Sequence, residues 1–180
     1  MTETADQAAR GTRNAPTEQV PGDVRHDTFT VSLQLPAPPG DVFRAFADSG
    51  VRRRWVKLPG SETAYAHEFR VGGGETARSA FPNRKAPQEH LKYESNYIDI
   101  IPDGRIVYVY KAYVDDILRW TSLVTIELRV QDEGTELSWT EQAAFVRPTS
   151  DGDDDLRHLR GGTRLRLNGL VAALDVQPRP

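Results

Sequence analysis

The segment LRWTSLVTIELRVQDEGTELSWTEQAAFV, Leu118–Val146, together with DDDLRHLRGGTRLRLNGLVAAL, Asp153–Leu174, decides the fold. In the first, Trp120, Ser122, Val124, Ile126, Leu128 and Val130 share one side of a period-two pattern, with Thr125, Glu127 and Arg129 opposite. Such alternation belongs to a strand with one buried face. Glu133-Gly134 turns the chain, and over Thr135–Val146 the alternation resumes with Leu137, Trp139, Ala143 and Phe145 inward. Two strands joined by so short a turn pair antiparallel. Arg147-Pro148 ends the sheet and Thr149–Gly152 reads as a loop. The period then changes to steps of three and four: Leu156, Leu159, Thr163, Leu167, Leu170 and Leu174, with Arg157, Arg160 and Arg164 off the stripe. This is a long amphipathic helix with its leucines toward the sheet, and Asp153, Asp154 and Asp155 sit at its positive end.

Upstream, the same patterns extend the sheet. Arg105–Tyr113 places Ile106, Tyr108, Tyr110 and Ala112 on one face. Pro102-Asp103-Gly104 joins it to a strand over Leu91–Ile101, and Asp115-Asp116 joins it to the next. Pro82–His90 reads as a polar loop and Glu75–Phe81 as a weaker strand. Tyr65, His67, Phe69 and Val71 share a face, and Gly72-Gly73-Gly74 forms a turn that needs freedom at positive φ. At the start, Phe29, Val31, Leu33 and Leu35 alternate over Thr28–Leu35, and Pro36, Pro38, Pro39 and Gly40 stop the strand. A short helix over Asp41–Ala47 and a turn over Val51–Val56 carrying Trp55 follow. The order is strand, two short helices, six strands, long helix. The expected organisation is one α+β domain over residues 28–175, a disordered tail over 1–27 and a short C-terminal tail over 176–180.

The bulk numbers exclude several classes. A chain of 180 residues suits one domain with a sizeable core. A net charge of −3, with both signs mixed along the chain, offers no field for a nucleic-acid backbone. The absence of cysteine removes disulfides and thiolate metal sites, and fits a reducing compartment. No stretch approaches the ~20 apolar residues of a membrane span, and Met1–Arg25 has no signal-like apolar core. The expected setting is cytoplasmic, without a membrane or nucleic-acid partner.

Several motifs carry a family resemblance. Pro36-Ala37-Pro38-Pro39-Gly40-Asp41-Val42-Phe43 follows the first strand, then Trp55. Phe69-Arg70-Val71-Gly72-Gly73 comes next, then Tyr97-Ile98-Asp99-Ile100-Ile101-Pro102 running into Arg105-Ile106-Val107-Tyr108, and finally Gly134-Thr135-Glu136-Leu137. In this order they resemble the helix-grip superfamily of START domains, birch-pollen-allergen-like proteins and aromatic polyketide cyclases. The likeness is to the branch named after the C-terminal domain of the activator of the Hsp90 ATPase. It implies a curved antiparallel sheet around the C-terminal helix, with a cavity for a small apolar ligand between them. Many members carry Gly-Trp in that helix, where this chain reads Gly161-Gly162-Thr163. Adjacent helix glycines cost about 1 kcal/mol each relative to alanine. Close packing on the sheet, or space above a pocket, would offset that.

The candidate ligand-binding set follows from inward strand positions: Trp55, His67, Phe69, Tyr93, Tyr97, Tyr108, Tyr110, Trp120, Trp139, Glu141 and Gly162. Flat side chains with polar tips suit an aromatic or polycyclic guest, and the competing reading is an ordinary filled core. Glu141 interrupts the apolar face between Trp139 and Ala143, so it is paired, protonated or near water, unless a bulge turns it to solvent. Glu141 and His67 are the candidate acid–base groups if the protein is a catalyst; for His67 a structural role competes. Asp99 is placed to pair with Arg119 or Arg105. Arg52-Arg53-Arg54 reads as a solvated helix face, or as an attractor for an anionic group at a pocket mouth. No histidine pair has ligand spacing, so no metal is expected; no organic cofactor is expected either.

Three functions compete. The first is binding of a small, largely apolar, natural-product-like ligand, with cyclase-like chemistry as an extension. The second is self-resistance, in which the protein sequesters a toxic antibiotic such as an enediyne or is cleaved by it; Gly104, Gly73 and Gly161 would then offer unshielded Cα atoms. The third is a protein-interaction module of the Hsp90 co-chaperone kind.

Overall fold

The structure, a computed structural model, describes residues 23–82, 88–149 and 153–175. The elements in chain order are β1 (Arg25–Leu35), α1 (Pro39–Ala47), α2 (Ser49–Trp55), β2 (Ser61–His67), β3 (Glu75–Phe81), β4 (Glu89–Ile101), β5 (Arg105–Val114), β6 (Ile117–Gln131), β7 (Gly134–Phe145) and α3 (Asp153–Asp175). All seven strands form one antiparallel sheet in the order β1-β7-β6-β5-β4-β3-β2. The chain thus runs a meander from β2 to β7, and β1 returns to pair with the last strand. The helix α3 packs against β1, α1 and α2. This is the α+β helix-grip architecture.

Turn chemistry sets the register. Asp115 and Asp116 both have positive φ (51° and 59°), the paired left-handed geometry that matches a two-residue hairpin to strand twist. They place Val114 opposite Ile117. In the next hairpin the turn residues are Asp132-Glu133, and Gly134 already pairs with Gln131. Of the three glycines at 72–74, only Gly72 has positive φ, at 79°. Gly74 serves a different need: a Cβ there would lie 1.9 Å from the Ser95 carbonyl oxygen, so the chain passes too close to β4 for any side chain.

Other expectations shift in position. β1 begins at Arg25, so Arg25–Asp27, read with the tail, pair with Phe145–Ala143 of β7. Residues 1–22 and 176–180 of the expected tails lie outside the described residues, as do 83–87 of the polar loop and 150–152 of the loop before α3. β2 ends at His67, so Phe69 and Val71 follow the strand instead of continuing it. Val71 is 55% exposed, whereas Phe69 packs edge-on against Phe43 and Tyr97. In β4 the register shifts between Tyr97 and Asp99. The extra residue reverses the facing pattern, and Asp99 pairs at the surface with Arg105 at 2.8 Å. Val130, expected inward, pairs with Thr135 next to the last residue of β6 and is exposed.

The core lies between the concave sheet face and the three helices. Val42, Ala45 and Phe46 of α1, Trp55 of α2 and Leu167 and Leu170 of α3 meet Ile106, Val124, Ile126 and Leu137 of the sheet. Within that core is an ion pair, so Arg52 departs from the solvated helix face expected for Arg52-Arg53-Arg54. Arg52 of α2 is 2% exposed and bonds through Nη2 to Glu75 Oε2 at 2.8 Å; Glu75, the first residue of β3, is fully buried. The Arg52 guanidinium also stacks over Trp55, 4.6 Å from the ring centroid, and Tyr65 donates to Glu75 Oε1 at 2.7 Å. Burial opposes ionisation of Glu75, but Arg52 beside it, helped by the Tyr65 hydrogen bond, holds its carboxyl below the usual range.

Candidate functional site

A cavity of about 410 Å³ opens between α3, the end of α2 with the segment after it as far as Pro59, and the ends of β4, β5, β6 and β7. Its floor is aromatic and apolar: Trp55, Tyr93, Tyr110, Ala112, Phe145 and Leu159 line it and are buried. Its rim carries Arg54, Lys57, Lys92, His158 and Leu165. The helix contributes Asp155, His158, Leu159, Gly162, Leu165, Arg166 and Gly169, one face at steps of three and four. Two glycines on that face act in opposite ways. Gly169 lets α3 approach α2, since its Cβ would meet the Trp55 backbone at 3.4 Å. At Gly162 a Cβ would meet nothing within 4 Å, so the missing side chain leaves open space at the cavity. Of the two explanations offered by the sequence for the glycine pair, the geometry at Gly162 is that of space above a pocket.

Of the candidate ligand-binding residues, Trp55, Tyr93, Tyr110, Trp120 and Gly162 line this cavity. Tyr97, Tyr108, Trp139, His67 and Phe69 lie outside its lining and pack on one another. Ring centroids are 5.0 Å apart for Phe69 and Tyr97, 5.8 Å for Tyr97 and Tyr108, and 6.1 Å for Tyr108 and Trp139. The reason is coverage: α1 and α2 close over that end of the sheet, and their side chains occupy the space a guest would need. The aromatic seam continues through Tyr110 to Tyr93, which line the cavity together with Trp55 of α2 and one face of α3.

Glu141 is fully buried behind the cavity wall. Tyr110 donates to its Oε1 at 2.5 Å, while Trp139 Nε1 and Thr163 Oγ1 donate to its Oε2 at 3.1 and 3.3 Å. Trp120 Nε1 in turn donates to the Tyr110 hydroxyl at 2.9 Å. The reading in which a bulge turns Glu141 to solvent is corrected: β7 pairs without a break from Gly134 to Phe145, so strand parity points its side chain inward. The carboxylate satisfies donors from β5, β7 and α3, and so fixes two aromatic walls of the cavity without touching its space. Burial and the neighbouring Glu141 push the Tyr110 hydroxyl well above its usual range, so at neutral pH it stays protonated.

His67 lies at the opposite end. Its Nδ1 meets Ser49 Oγ and its Nε2 meets the Tyr97 hydroxyl, each at 3.0 Å. Burial lowers its pKa from the ordinary 6.5. A histidine held neutral in the folded state favours unfolding once the unfolded chain takes up a proton and the native one does not. Its contribution is therefore intact above pH 6.5 and declines as pH falls from there toward the lower native value. Urea midpoints measured between pH 7.5 and 5 should fall, and His67→Gln should flatten that slope; an unchanged slope would remove His67 as the cause.

Of the run Arg52-Arg53-Arg54, which the sequence also offers as an attractor at a pocket mouth, Arg54 lies at the rim; Arg166, Leu159, Lys57 and Lys92 are cavity residues that the sequence did not single out. Arg166 had a signal: it is three residues beyond Thr163 and four before Leu170, inside the apolar stripe of α3. Gly104, Gly73 and Gly161 are not among the lining residues. Among the described residues no cluster of three or more His, Asp or Glu could hold a metal ion, and no helix is long and apolar enough to cross a membrane.

A grip-like sheet and a long closing helix with a cavity between them define a helix-grip protein. The family model of the activator of Hsp90 ATPase homolog 1-like proteins matches residues 36–175, and the chain belongs to that family. Its members generally bind hydrophobic ligands. The crystal structure of Mll3558 from Rhizobium loti is 35% identical, with a TM-score of 0.72, covering 84% of this chain and 99% of that one. A Rhizobium leguminosarum protein is 29% identical at a TM-score of 0.72, covering 86% and 98% of the two chains. DynU16, from the dynemicin biosynthetic locus, shares the fold at 15% identity and a TM-score of 0.57, over 83% of this chain and 48% of that one. No curated protein matches the chain.

Proposed function

We propose that this protein binds one small, largely apolar, aromatic or polycyclic molecule in the cavity beneath α3. The observation that carries the reading is the cavity itself: about 410 Å³, floored by Trp55, Tyr93, Tyr110 and Phe145 and left open by Gly162. That volume falls within the range of small-molecule sites. Binding without turnover is favoured by the placement of the polar groups. Glu141 spends its acceptors on fixed protein donors, Tyr110 is held protonated, and His67 lies outside the lining. The location of a fold relative in a biosynthetic locus is compatible with a natural-product ligand.

Native mass spectrometry of the purified protein, before and after incubation with a panel of polycyclic aromatic compounds, tests the reading. One ligand per chain, recovered with unchanged mass, is the expected result. A changed ligand mass would replace it with cyclase-like chemistry, and a cleaved chain with the self-resistance reading. Gly162→Trp restores the bulk that many relatives place in this helix. It should fill the cavity and weaken uptake by about tenfold or more, equivalent to ~1.4 kcal/mol. Unchanged uptake by that variant would move the ligand site elsewhere.

A further inference from the structure

We propose that the ligand of this cavity carries a carboxylate on its apolar body, and that Arg166 is the residue that holds it. The inference rests on the cavity being a ligand site, and adds the chemical class of the ligand and its anchor. Arg166 projects from α3 into the cavity lining and is only partly exposed. Among the described residues its guanidinium makes no hydrogen bond and no ion pair. A guanidinium has five donors and is charged at every accessible pH. Leaving them unmatched beside an aromatic floor is costly unless a ligand or water meets them.

The buried carboxylate of Glu141 does not meet that need. Glu141 contributes to the field at Arg166 but is not within ion-pair distance, and its oxygens already accept from Tyr110, Trp139 and Thr163. The surplus is in donors and in positive charge. Arg54, Lys57 and Lys92 at the rim add cations, against one lining acid, Asp155. Asp155 is itself engaged by the Thr149 backbone N–H at 2.7 Å. Lys92 is paired with Glu94 at 2.6 Å, and Arg54 and Lys57 are exposed, so among the described lining residues Arg166 is the partly buried cation without a partner. A planar fork of donors above a flat apolar floor matches a carboxylate attached to an aromatic or alicyclic body.

Isothermal titration calorimetry with 2-naphthylacetate and the uncharged 2-(2-naphthyl)ethanol tests this at an ionic strength near 0.15 M, where rim charges are screened beyond ~8 Å. The acid should bind about tenfold or more tightly than the alcohol, a difference typical of one charge-assisted bidentate contact. Arg166→Met should bring the acid down to the affinity of the alcohol and leave the alcohol unchanged. Arg166→Lys should retain part of the preference, and Arg164→Gln, on the exposed side of α3, all of it. Equal binding of both probes to the wild type would overturn the carboxylate inference and leave the cavity reading standing. Binding of neither probe would count against the cavity as a site for such guests, and against this inference with it. The ligand-free Arg166→Met protein should melt no lower than the wild type, because no native partner is lost; a lower melting temperature would overturn the assignment by making the guanidinium structural.

Discussion

Glu75→Leu is expected to lower the free energy of unfolding by about 3–5 kcal/mol, the usual loss when one member of a buried ion pair is removed and the other stays charged. The partner left behind is Arg52, which has no route to water: it is enclosed by Phe46, Trp55 and β3, and its Nη1 already lacks a protein partner. The Tyr65 hydroxyl would lose its acceptor as well. Arg52→Met alone should cost a comparable amount, since Glu75 would then be the stranded charge. The double substitution should recover much of the loss, because a well-packed apolar pair needs no desolvation of ions. Urea denaturation of the four proteins measures the cycle. If the double variant is as unstable as the sum of the singles, the pair is not the coupled unit described here.

The second large effect is at Glu141. Glu141→Ala removes the acceptor for Tyr110, Trp139 and Thr163 together. Each stranded donor costs about 1–3 kcal/mol, and the sum is not additive, so a net loss of about 3–5 kcal/mol is expected. Glu141→Gln should cost less, because the amide oxygen still accepts while its NH2 faces a donor. The functional consequence separates this residue from Glu75. Tyr110 and Trp120 are cavity walls held by the network, so Glu141→Gln should weaken ligand uptake even where the fold survives. Calorimetric titration on the folded fraction checks that; wild-type affinity in Glu141→Gln would show that the walls hold their positions without it.

Much of the architecture was legible because it depends on local periodicity. The two-residue period of β5, β6 and β7 and the three-and-four spacing of α3 are visible within windows of a dozen residues, and they place the right faces together. The core stripe Leu159, Thr163, Leu167 and Leu170 is buried as its spacing implies. The inward tyrosines are likewise where strand parity puts them. Where local phase broke, the reading broke with it. The β4 bulge sends Asp99 to the surface, and the strand end at His67 releases Val71.

The site was less legible, since burial and emptiness are properties of distant partners. Arg52 and Glu75 are separated by a helix end, a strand and a glycine turn, and neither is marked as buried by its own neighbours. The same tyrosine spacing on β4 and β5 yields a filled core at Tyr97 and Tyr108 and a cavity wall at Tyr93 and Tyr110. Only the reach of α1 and α2 distinguishes them. The sequence by itself determined a seven-stranded sheet, its closing helix and the helix glycines, because hydrophobic period and turn chemistry act over a few residues. The tertiary structure alone decided that the sheet is covered at one end and open at the other. It alone placed Glu141 behind the wall, and Arg166 inside the cavity without a partner. Those outcomes depend on which side chains from remote segments arrive to fill, pair or leave a space.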